Sequence, residues 1–393
     1  SYAILGGLRA VAVSDTLNGV GLLIVGVAVP WLGLQALGEG SVGAGLNMVL
    51  TTETQKLNAI GGPSDPTPFA TLFTGMVFAN LFYWCTNQYV IQRTLAARSL
   101  AEGQKGVLLS GFFKVLVPLL MMIPGVVAYH LYGPELQSID LAYPQLVADV
   151  LPVYATGFFL AVLLGAVLSS FNSLINSAST LFCIDVYQPL IGRAVSDAEM
   201  VRVAKRVGLV MTGFSLLVAP LLQFAAEGLW QVIRIFTGFY NIPMIAIVII
   251  GLFTRQVPAV AAKVVIVFHI VAYGTFQFVL KDLLPVHFLH LYAILFVLEV
   301  AMMLAIGHWR PLREAVAIRQ TAEVDLTPWA YAQPCAVTLL SCVVALYVVF
   351  SPIGLVGSGS NLFVPVLLGL LALNVLFWFG WHHRLTAGSG AHA

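Results

Sequence analysis

The chain has 393 residues, of which 60% are hydrophobic and only 9% are charged, and its mean hydropathy is +0.95. Soluble domains carry about 25% charged residues, so the composition excludes a soluble globular protein and indicates an integral membrane protein. The formal net charge of +1 by itself says nothing about nucleic-acid binding. The positive charges are sorted by side of the membrane and do not form one binding patch, so no nucleic-acid partner is expected.

Apolar stretches recur along the whole chain. A helix needs about 20 residues to cross roughly 30 Å of hydrocarbon. This length predicts ten spans, at about 11–36, 70–90, 107–130, 153–184, 207–225, 229–253, 258–280, 285–306, 335–351 and 361–382. Most of the 18 Lys and Arg residues fall in alternate loops between these spans. Short basic loops stay cytoplasmic, so we predict a multi-pass protein of the cell (plasma or inner) membrane, with the first span beginning on the inside.

The first ten residues, "SYAILGGLRA", have the pattern of a last helical turn that runs into a cytoplasmic turn. We therefore expect a cytoplasmic turn within these residues, and we expect the natural protein to contain helices before this point. The segment 37–69 is rich in Gly and Pro, and we expect it to be a connector.

The second span carries amides and aromatic residues in one helical pattern. Asn80, Tyr83, Trp84, Asn87 and Gln88 follow the spacing i, i+3, i+4, i+7 and i+8, which predicts that they line one side of a helix. Amides exchange hydrogen bonds with hydroxyl groups, and an aromatic ring covers the apolar face of a sugar. The pattern therefore indicates a site for a polyhydroxylated solute. The alternative is an aromatic belt at the membrane interface.

Lys114 is a charged residue within the third span. It follows Lys105 by nine residues, which places its Cα roughly 13 Å along a helix from the inner end. Its ammonium group either extends back toward water or lines a solute cavity.

The fourth span contains "LSSFNSLINSAST", residues 168–180, in which eight of 13 side chains are hydroxyls or amides. At about 100° per residue these eight fall on one half of the helix and the apolar residues on the other. Gly165 and Ala166 extend the polar half by one turn. One explanation is that small polar residues join neighbouring helices. The other is a site for a hard cation such as Na⁺, which prefers hydroxyl and carbonyl oxygens.

The sequence lacks the motifs of common enzymes. It contains no H-E-x-x-H motif and no phosphate-binding P-loop. The four cysteines have no ligand-like spacing, and "HFLH" at 287–290 has no third metal ligand nearby. We therefore predict that the chain is not an enzyme.

Three segments identify a family. "NLFYWCTNQYVIQRTLAA", the lysine of "FFKVLVP", and "LSSFNSLINSASTLFCIDVY" resemble the sodium/solute symporter family, solute carrier family 5, which includes the sodium–glucose cotransporters. The likeness extends from Gly6 to about residue 253, and "GGLRAVAVSDTLNGVGL" and "FYNIPMIAIVIIGLF" are closest to a bacterial branch.

The resemblance implies an all-α membrane protein with a LeuT-like inverted-repeat transporter core of five plus five helices. In that alignment 11–36 is the last helix of the first repeat, most of which would precede this chain, and 70–253 is the second repeat. We therefore expect a transporter core at 1–253 and peripheral C-terminal transmembrane helices at 254–393.

The resemblance also assigns roles to individual residues. The carbonyl of Ala166 and the hydroxyls of Ser169 and Ser170 match the sodium ligands of the family, and Ser173 lies one turn beyond them as a further candidate. The residues that match its solute-contacting positions are Asn80, Tyr83, Trp84 and Lys114.

Arg234 departs from the family pattern, because sugar-transporting members carry a glutamine at this place. A guanidinium in the membrane is costly unless it is paired or hydrated. We therefore hypothesise an anionic solute, such as a sugar acid, that contacts Arg234. The alternatives are a partner within the protein and extension of the side chain to the outer face.

These observations predict a secondary active transporter that couples Na⁺ influx to the uptake of a small polar solute, namely a sugar, sugar acid or polyol. The expected partners are Na⁺, the solute and the lipid bilayer. The rival hypotheses are a membrane sensor of the same fold that binds solute without transport, and a channel.

Overall fold

The computed structural model describes residues 2–136, 138–192, 195–224, 229–281, 283–284, 286–314, 324–357 and 360–390. Within these residues the regular structure is helical. The α-helices are α1 (Tyr2–Leu37), α2 (Val42–Thr51), α3 (Gly75–Leu81), α4 (Gln88–Leu95), α5 (Leu100–Val117), α6 (Ile123–Tyr132), α7 (Ala142–Val150), α8 (Val153–Leu181), α9 (Gln188–Ile191), α10 (Asp197–Val218), α11 (Leu229–Phe253), α12 (Ala259–Thr275), α13 (Phe288–Trp309), α14 (Ala332–Val349) and α15 (Phe363–Gly390).

Nine helical segments of the described chain are long and apolar enough to cross a membrane. They are Val13–Leu37, Leu100–Tyr132, Val153–Ile191, Asp197–Leu222, Val232–Phe253, Ala259–Leu280, Phe288–Trp309, Ala332–Val349 and Phe363–Leu385. This pattern confirms the prediction of a multi-pass membrane protein. Nine of the ten predicted spans therefore have a counterpart, and the exception is the segment predicted at 70–90.

The predicted continuous helix at 70–90 is wrong because the backbone breaks at Asn87. Helix α3 passes into a π-helical turn, Phe82–Thr86, and Asn87 then has an extended conformation with ψ of 115°. The Phe82 carbonyl accepts both the Asn87 N–H, at 3.0 Å, and the Thr86 hydroxyl, at 2.9 Å. These bonds replace regular helical pairing, so Asn87 and Gln88 do not continue the helical face that carries Asn80.

Two other expectations near the N-terminus are also corrected. Helix α1 runs through Gly6 and Gly7 without the predicted turn, as the apolar surroundings require every backbone N–H to find a carbonyl within the helix. The segment 37–69 is more than a connector, since it contains α2. The Ser41 hydroxyl caps this helix by accepting the Ala44 N–H at 3.3 Å.

The chain divides into two compact units. The first unit contains residues 1–60, 93–221 and 324–393, and the second contains 61–92 and 222–323. This division follows packing, and the expected core boundary at residue 253 stays a prediction.

In the first unit, α1, α2, α6, α7 and α8 surround a core in which Val29, Val49, Val127 and Leu146 are buried. In the second unit, α3 and α11–α13 pack around Ile242, Tyr273, Leu289 and Tyr292. Lipid is as apolar as these side chains, so close packing rather than burial from water stabilises both cores. Gly75 shows how close the contact is, because a Cβ there would lie 1.7 Å from the Leu289 carbonyl oxygen.

Candidate functional site

The polar half of α8 faces the inside of the first unit. Asn172, Ser173, Ser177 and Ser179 are buried. The apolar half is turned outward, with Leu168, Leu174 and Leu181 each more than 40% exposed. Apart from Ser170, which is exposed, the helix therefore presents its hydroxyls and amides to the protein and its leucines to the surroundings, as the periodicity predicts.

Several of these hydroxyls bond to the backbone of their own helix. Thr180 donates to the Asn176 carbonyl at 2.8 Å, and Ser179 donates to the Ile175 carbonyl. Such bonds four residues back are the ordinary way in which Ser and Thr are accommodated in an apolar helix. The hydroxyls of Ser179 and Thr180 are therefore explained by hydrogen bonding within α8.

Ser169 is different, because its hydroxyl donates to another helix. The acceptor is Oδ1 of Asp15 on α1. The other carboxylate oxygen of Asp15 forms an ion pair with Arg93 of α4. Arg93 also donates to the Ser173 hydroxyl at 2.7 Å, and Ser173 donates to the Ser169 carbonyl at 3.0 Å. These four residues, Asp15, Arg93, Ser169 and Ser173, form one connected group, which we call the Asp15 network.

Sequence reasoning did not assign a role to Asp15 or Arg93. Asp15 falls inside the first predicted span, and an acidic residue within a span is by default a candidate functional residue. That signal was present in the sequence. The pairing with Arg93, which is 78 residues away, was not.

A close approach between α1 and α8 adds a further oxygen beside the Asp15 network. A Cβ on Gly165 would lie 2.4 Å from Oδ1 of Asn18, so a side chain at this position would force the Asn18 amide to shift. Asn18 follows Asp15 by three residues and therefore lies on the same face of α1. A carboxylate, hydroxyls and an amide oxygen are the ligands that hard cations prefer. The oxygens present are therefore of the type that binds Na⁺, while the Arg93 guanidinium beside them is paired with Asp15.

All four predicted sodium ligands lie on α8 within the first unit. Ser169 and Ser173 belong to the Asp15 network. Ala166 is half-buried and Ser170 is exposed. Their role as ligands stays a prediction.

The predicted solute residues Asn80, Tyr83 and Trp84 lie together in the second unit, just before the break at Asn87. The Tyr83 and Trp84 rings meet edge to face with centroids 4.9 Å apart, and both are exposed. Asn80 donates to the Met76 carbonyl of its own helix at 2.9 Å. The Tyr83 hydroxyl pairs with that of Tyr89 on α4, which joins the two sides of the break.

Arg234 of α11, also in the second unit, binds the loop before α3. Its guanidinium donates to the Thr67 hydroxyl at 2.9 Å and to the Pro66 carbonyl at 3.2 Å, and it lies 5.5 Å above the centroid of the Phe288 ring. These contacts support the alternative in which Arg234 has partners within the protein. They go to neutral oxygens, which form weaker bonds with a guanidinium than an anion does.

The backbone around Arg234 is held by two tyrosines. The Tyr292 hydroxyl donates to the Arg234 carbonyl at 2.8 Å, and the Tyr273 hydroxyl donates to the Ile235 carbonyl at 3.0 Å. This turn of α11 is therefore fixed against α12 and α13. Lys114, in contrast, is an exposed residue of α5 in the first unit.

Comparison with known proteins gives consistent matches. The model of the sodium:solute symporter family matches residues 1–265. The chain is 41% identical over 383 residues to the uncharacterized symporter YidK of Escherichia coli K12, covering 98% of this chain and 66% of that protein. It is 32% identical over 289 residues to the sodium/glucose cotransporter of Vibrio parahaemolyticus, covering 68% of this chain and 53% of that protein.

Among solved structures, a substrate-bound, outward-open Na⁺-coupled sialic acid symporter matches with a TM-score of 0.67 and 21% identity, covering 81% of this chain and 66% of that one. The likeness confirms the predicted all-α, LeuT-like fold. This chain thus spans between about half and two thirds of the length of these relatives. The matched proteins are symporters, in agreement with the prediction that the chain is not an enzyme.

Proposed function

Because the chain belongs to the sodium:solute symporter family, we propose that it couples Na⁺ influx across the cell membrane to the uptake of a small polar solute by alternating access. In this fold, ions and solutes bind near the middle of the bilayer and rigid-body movement exposes them to either side in turn. The Asp15 network is the observation that carries the proposal.

Na⁺ would bind beside this network. The proposed ligands are the Ala166 carbonyl and the Ser169 and Ser170 hydroxyls, with Ser173 as an additional candidate. Asp15 contributes a negative charge next to Ser169, which favours a cation there, while Arg93 balances that charge when no ion is bound. Na⁺ then replaces its lost hydration with protein oxygens, and it favours whichever conformation completes this set of oxygens.

The solute would be a sugar, sugar acid or polyol. The contacts proposed within the second unit are Asn80, Tyr83, Trp84 and Arg234. Lys114, in the first unit, is a separate candidate that rests on the family resemblance. Three relatives, a sodium/glucose, a sodium/mannose and a sodium/myo-inositol cotransporter, support a polyhydroxylated solute. Trp84 and Tyr83 offer exposed aromatic surface for the apolar face of such a solute.

Arg234 favours the acidic members of this class. A charge-assisted bond between a guanidinium and a carboxylate is roughly twice as strong as a bond to a neutral oxygen. An anionic group on the solute would therefore compete well with Thr67 and Pro66 for the Arg234 guanidinium. The structural neighbour named for sialic acid, an acidic sugar, is consistent with this choice.

The test is uptake of labelled sugars, sugar acids and polyols into proteoliposomes that contain the protein. We expect accumulation of at least one solute under an inward Na⁺ gradient and none under an equal K⁺ gradient. A sensor would bind solute without accumulating it, and a channel would pass Na⁺ without solute. Either of these two results would refute the proposal.

A further inference from the structure

Helices α12 and α13 carry an ionisable pair that none of the functions above uses. His269 and Glu299 are both 0% exposed. Nδ1 of His269 lies 2.5 Å from Oε1 of Glu299, and Nε2 of the same ring lies 2.9 Å from the Gly238 carbonyl oxygen of α11. Both ring nitrogens of His269 therefore face oxygen atoms.

The protons of this pair can be counted from the geometry. A backbone carbonyl only accepts hydrogen bonds, so Nε2 must carry a proton. One further proton must then lie between Nδ1 and Oε1. It belongs either to His269, which makes a charged pair, or to Glu299, which makes a neutral acid next to a neutral imidazole.

Burial decides between these two forms. Oε2 of Glu299 is buried and has no hydrogen-bond donor among the described residues. An ionised carboxylate in an apolar interior needs several donors, and one with a single donor is strongly disfavoured. A carboxylic acid leaves only a weak carbonyl acceptor unpaired. The neutral form therefore suits this position better.

The described groups on the helices around the pair do not alter this balance. The Tyr273 ring is stacked on the His269 ring, with centroids 5.6 Å apart, but its hydroxyl donates to Ile235. The Tyr292 hydroxyl donates to Arg234, whose guanidinium is bound to Thr67.

The remaining ionisable groups on α11–α13 are Tyr240, Lys263, His290 and His308. Lys263 is six residues from His269, or roughly 9 Å along α12, and the two histidines are nine residues from Glu299, or roughly 13 Å along α13. Tyr240 lies two residues beyond Gly238 on α11, and neutral tyrosine adds no charge. Helix α3 and the turn Phe276–Leu280, which also pack here, contain no ionisable side chain. The turn Phe82–Thr86 packs against α11 as well, and its ionisable residues, Tyr83 and Cys85, are both exposed, unlike the fully buried pair.

We propose that His269 and Glu299 form a proton-binding site inside the membrane. Glu299 remains a carboxylic acid and donates to Nδ1 of His269, and Nε2 of His269 donates to the Gly238 carbonyl. One shared proton thus links α13, α12 and α11 at the turn that follows Arg234. Release of that proton to water would leave a buried negative charge and one hydrogen bond fewer, so the proton stays bound at neutral pH.

Infrared spectroscopy of the purified protein in lipid nanodiscs tests the assignment, and it does not require transport. The difference spectrum between the native protein and Glu299→Gln should contain the C=O stretch of a protonated carboxylic acid at neutral pH, shifted in D₂O. Carboxylate bands in its place would overturn the proposal.

Thermal unfolding of matched variants provides the second test. Glu299→Gln preserves both hydrogen bonds, because its amide can donate to Nδ1, and it should unfold at the native temperature. Glu299→Met and His269→Phe remove bonds at similar volume and should lower the midpoint by about 2–5 °C. Met303→Leu, on the same buried face of α13, controls for repacking. Equal losses for Glu299→Gln and Glu299→Met, or no loss for Glu299→Met, would contradict the proposal.

Discussion

Asp15 of α1 accepts a hydrogen bond from the hydroxyl of Ser169 on α8. A carboxylate therefore lies against the hydroxyl that the family resemblance assigns to sodium. Because the second carboxylate oxygen is paired with Arg93, the region is close to neutral in the absence of an ion. A bound Na⁺ would give it a net positive charge, so its affinity depends on how strongly Asp15 attracts the ion relative to Arg93.

This arrangement predicts that Asp15→Asn weakens sodium coupling. Asparagine can still accept the Ser169 hydrogen, but the negative charge is lost. We expect the Na⁺ concentration for half-maximal uptake to rise by about tenfold, which corresponds to about 1.4 kcal/mol. Sodium titration of solute uptake measures this change. Glu102→Gln, at an exposed acid that pairs with Lys105, is the matched control and should behave as native. An unchanged sodium titration for Asp15→Asn would exclude a role for this carboxylate.

We expect the hydroxyls of α8 to fall into two classes, those that bind Na⁺ and those that only bond to the backbone of their own helix. Ser169→Ala combined with Ser170→Ala removes the proposed ligands, so accumulation should no longer depend on external Na⁺. Thr180→Val removes a hydroxyl that bonds only within its helix in the described structure, and it should leave uptake unchanged. The same sodium dependence in the double variant as in the native protein would disprove the proposed site.

The candidate site was only partly predictable from the sequence. Apart from the exposed Ser170, periodicity correctly separated the buried side of α8 from the exposed side, because at 3.6 residues per turn the order of residues determines which side chains share a face. It could not distinguish Ser169 from Thr180, since both lie in the polar half. Only the arrangement of α1 beside α8 shows that one bonds Asp15 and the other its own backbone.

The fold was predictable where hydropathy alone determines it. Nine segments are helices of the predicted kind. The segment 70–90 also contains enough apolar residues to be predicted as a span, but its helix ends where the Phe82 carbonyl accepts bonds from both Thr86 and Asn87. Hydropathy does not register such a change in hydrogen bonding. π-turns often occur at functional sites, and this one separates the residues predicted to contact the solute from Gln88.

Arg234→Gln should alter solute preference. Loss of the guanidinium removes charge-assisted bonds worth roughly 1.5–3 kcal/mol, so the KM for an acidic solute should rise by about tenfold to hundredfold. Neutral sugars should be unaffected or improved. Uptake kinetics with paired sugars and sugar acids provide the measurement.

Thr67→Val distinguishes solute binding from loop anchoring at Arg234. This substitution removes the 2.9 Å bond to the loop but keeps the guanidinium. If Arg234 binds an anion, Thr67→Val should leave the affinity for acidic solutes equal or higher. If both variants reduced uptake of every solute to the same extent, Arg234 would act only as an anchor for the loop.

Gly238 should be intolerant of any side chain. A Cβ at this position would lie 2.3 Å from the Tyr292 hydroxyl oxygen and 2.7 Å from that of Tyr273. Both tyrosines are buried and bonded to α11, so neither has room to withdraw. Overpacking of this kind costs about 1–3 kcal/mol. Gly238→Ala should therefore lower the thermal midpoint, whereas Gly251→Ala on the same helix, where a Cβ meets no atom within 4 Å, should not.

A double-mutant cycle identifies the cause of that loss. Tyr292→Phe removes the hydroxyl that a Cβ on Gly238 would meet first, so Gly238→Ala should be less destabilising in the Tyr292→Phe background than in the native protein. Residues in direct contact show such coupling, whereas distant ones are additive. Additive losses would mean that Gly238 is required for its backbone conformation instead of for the approach of Tyr292.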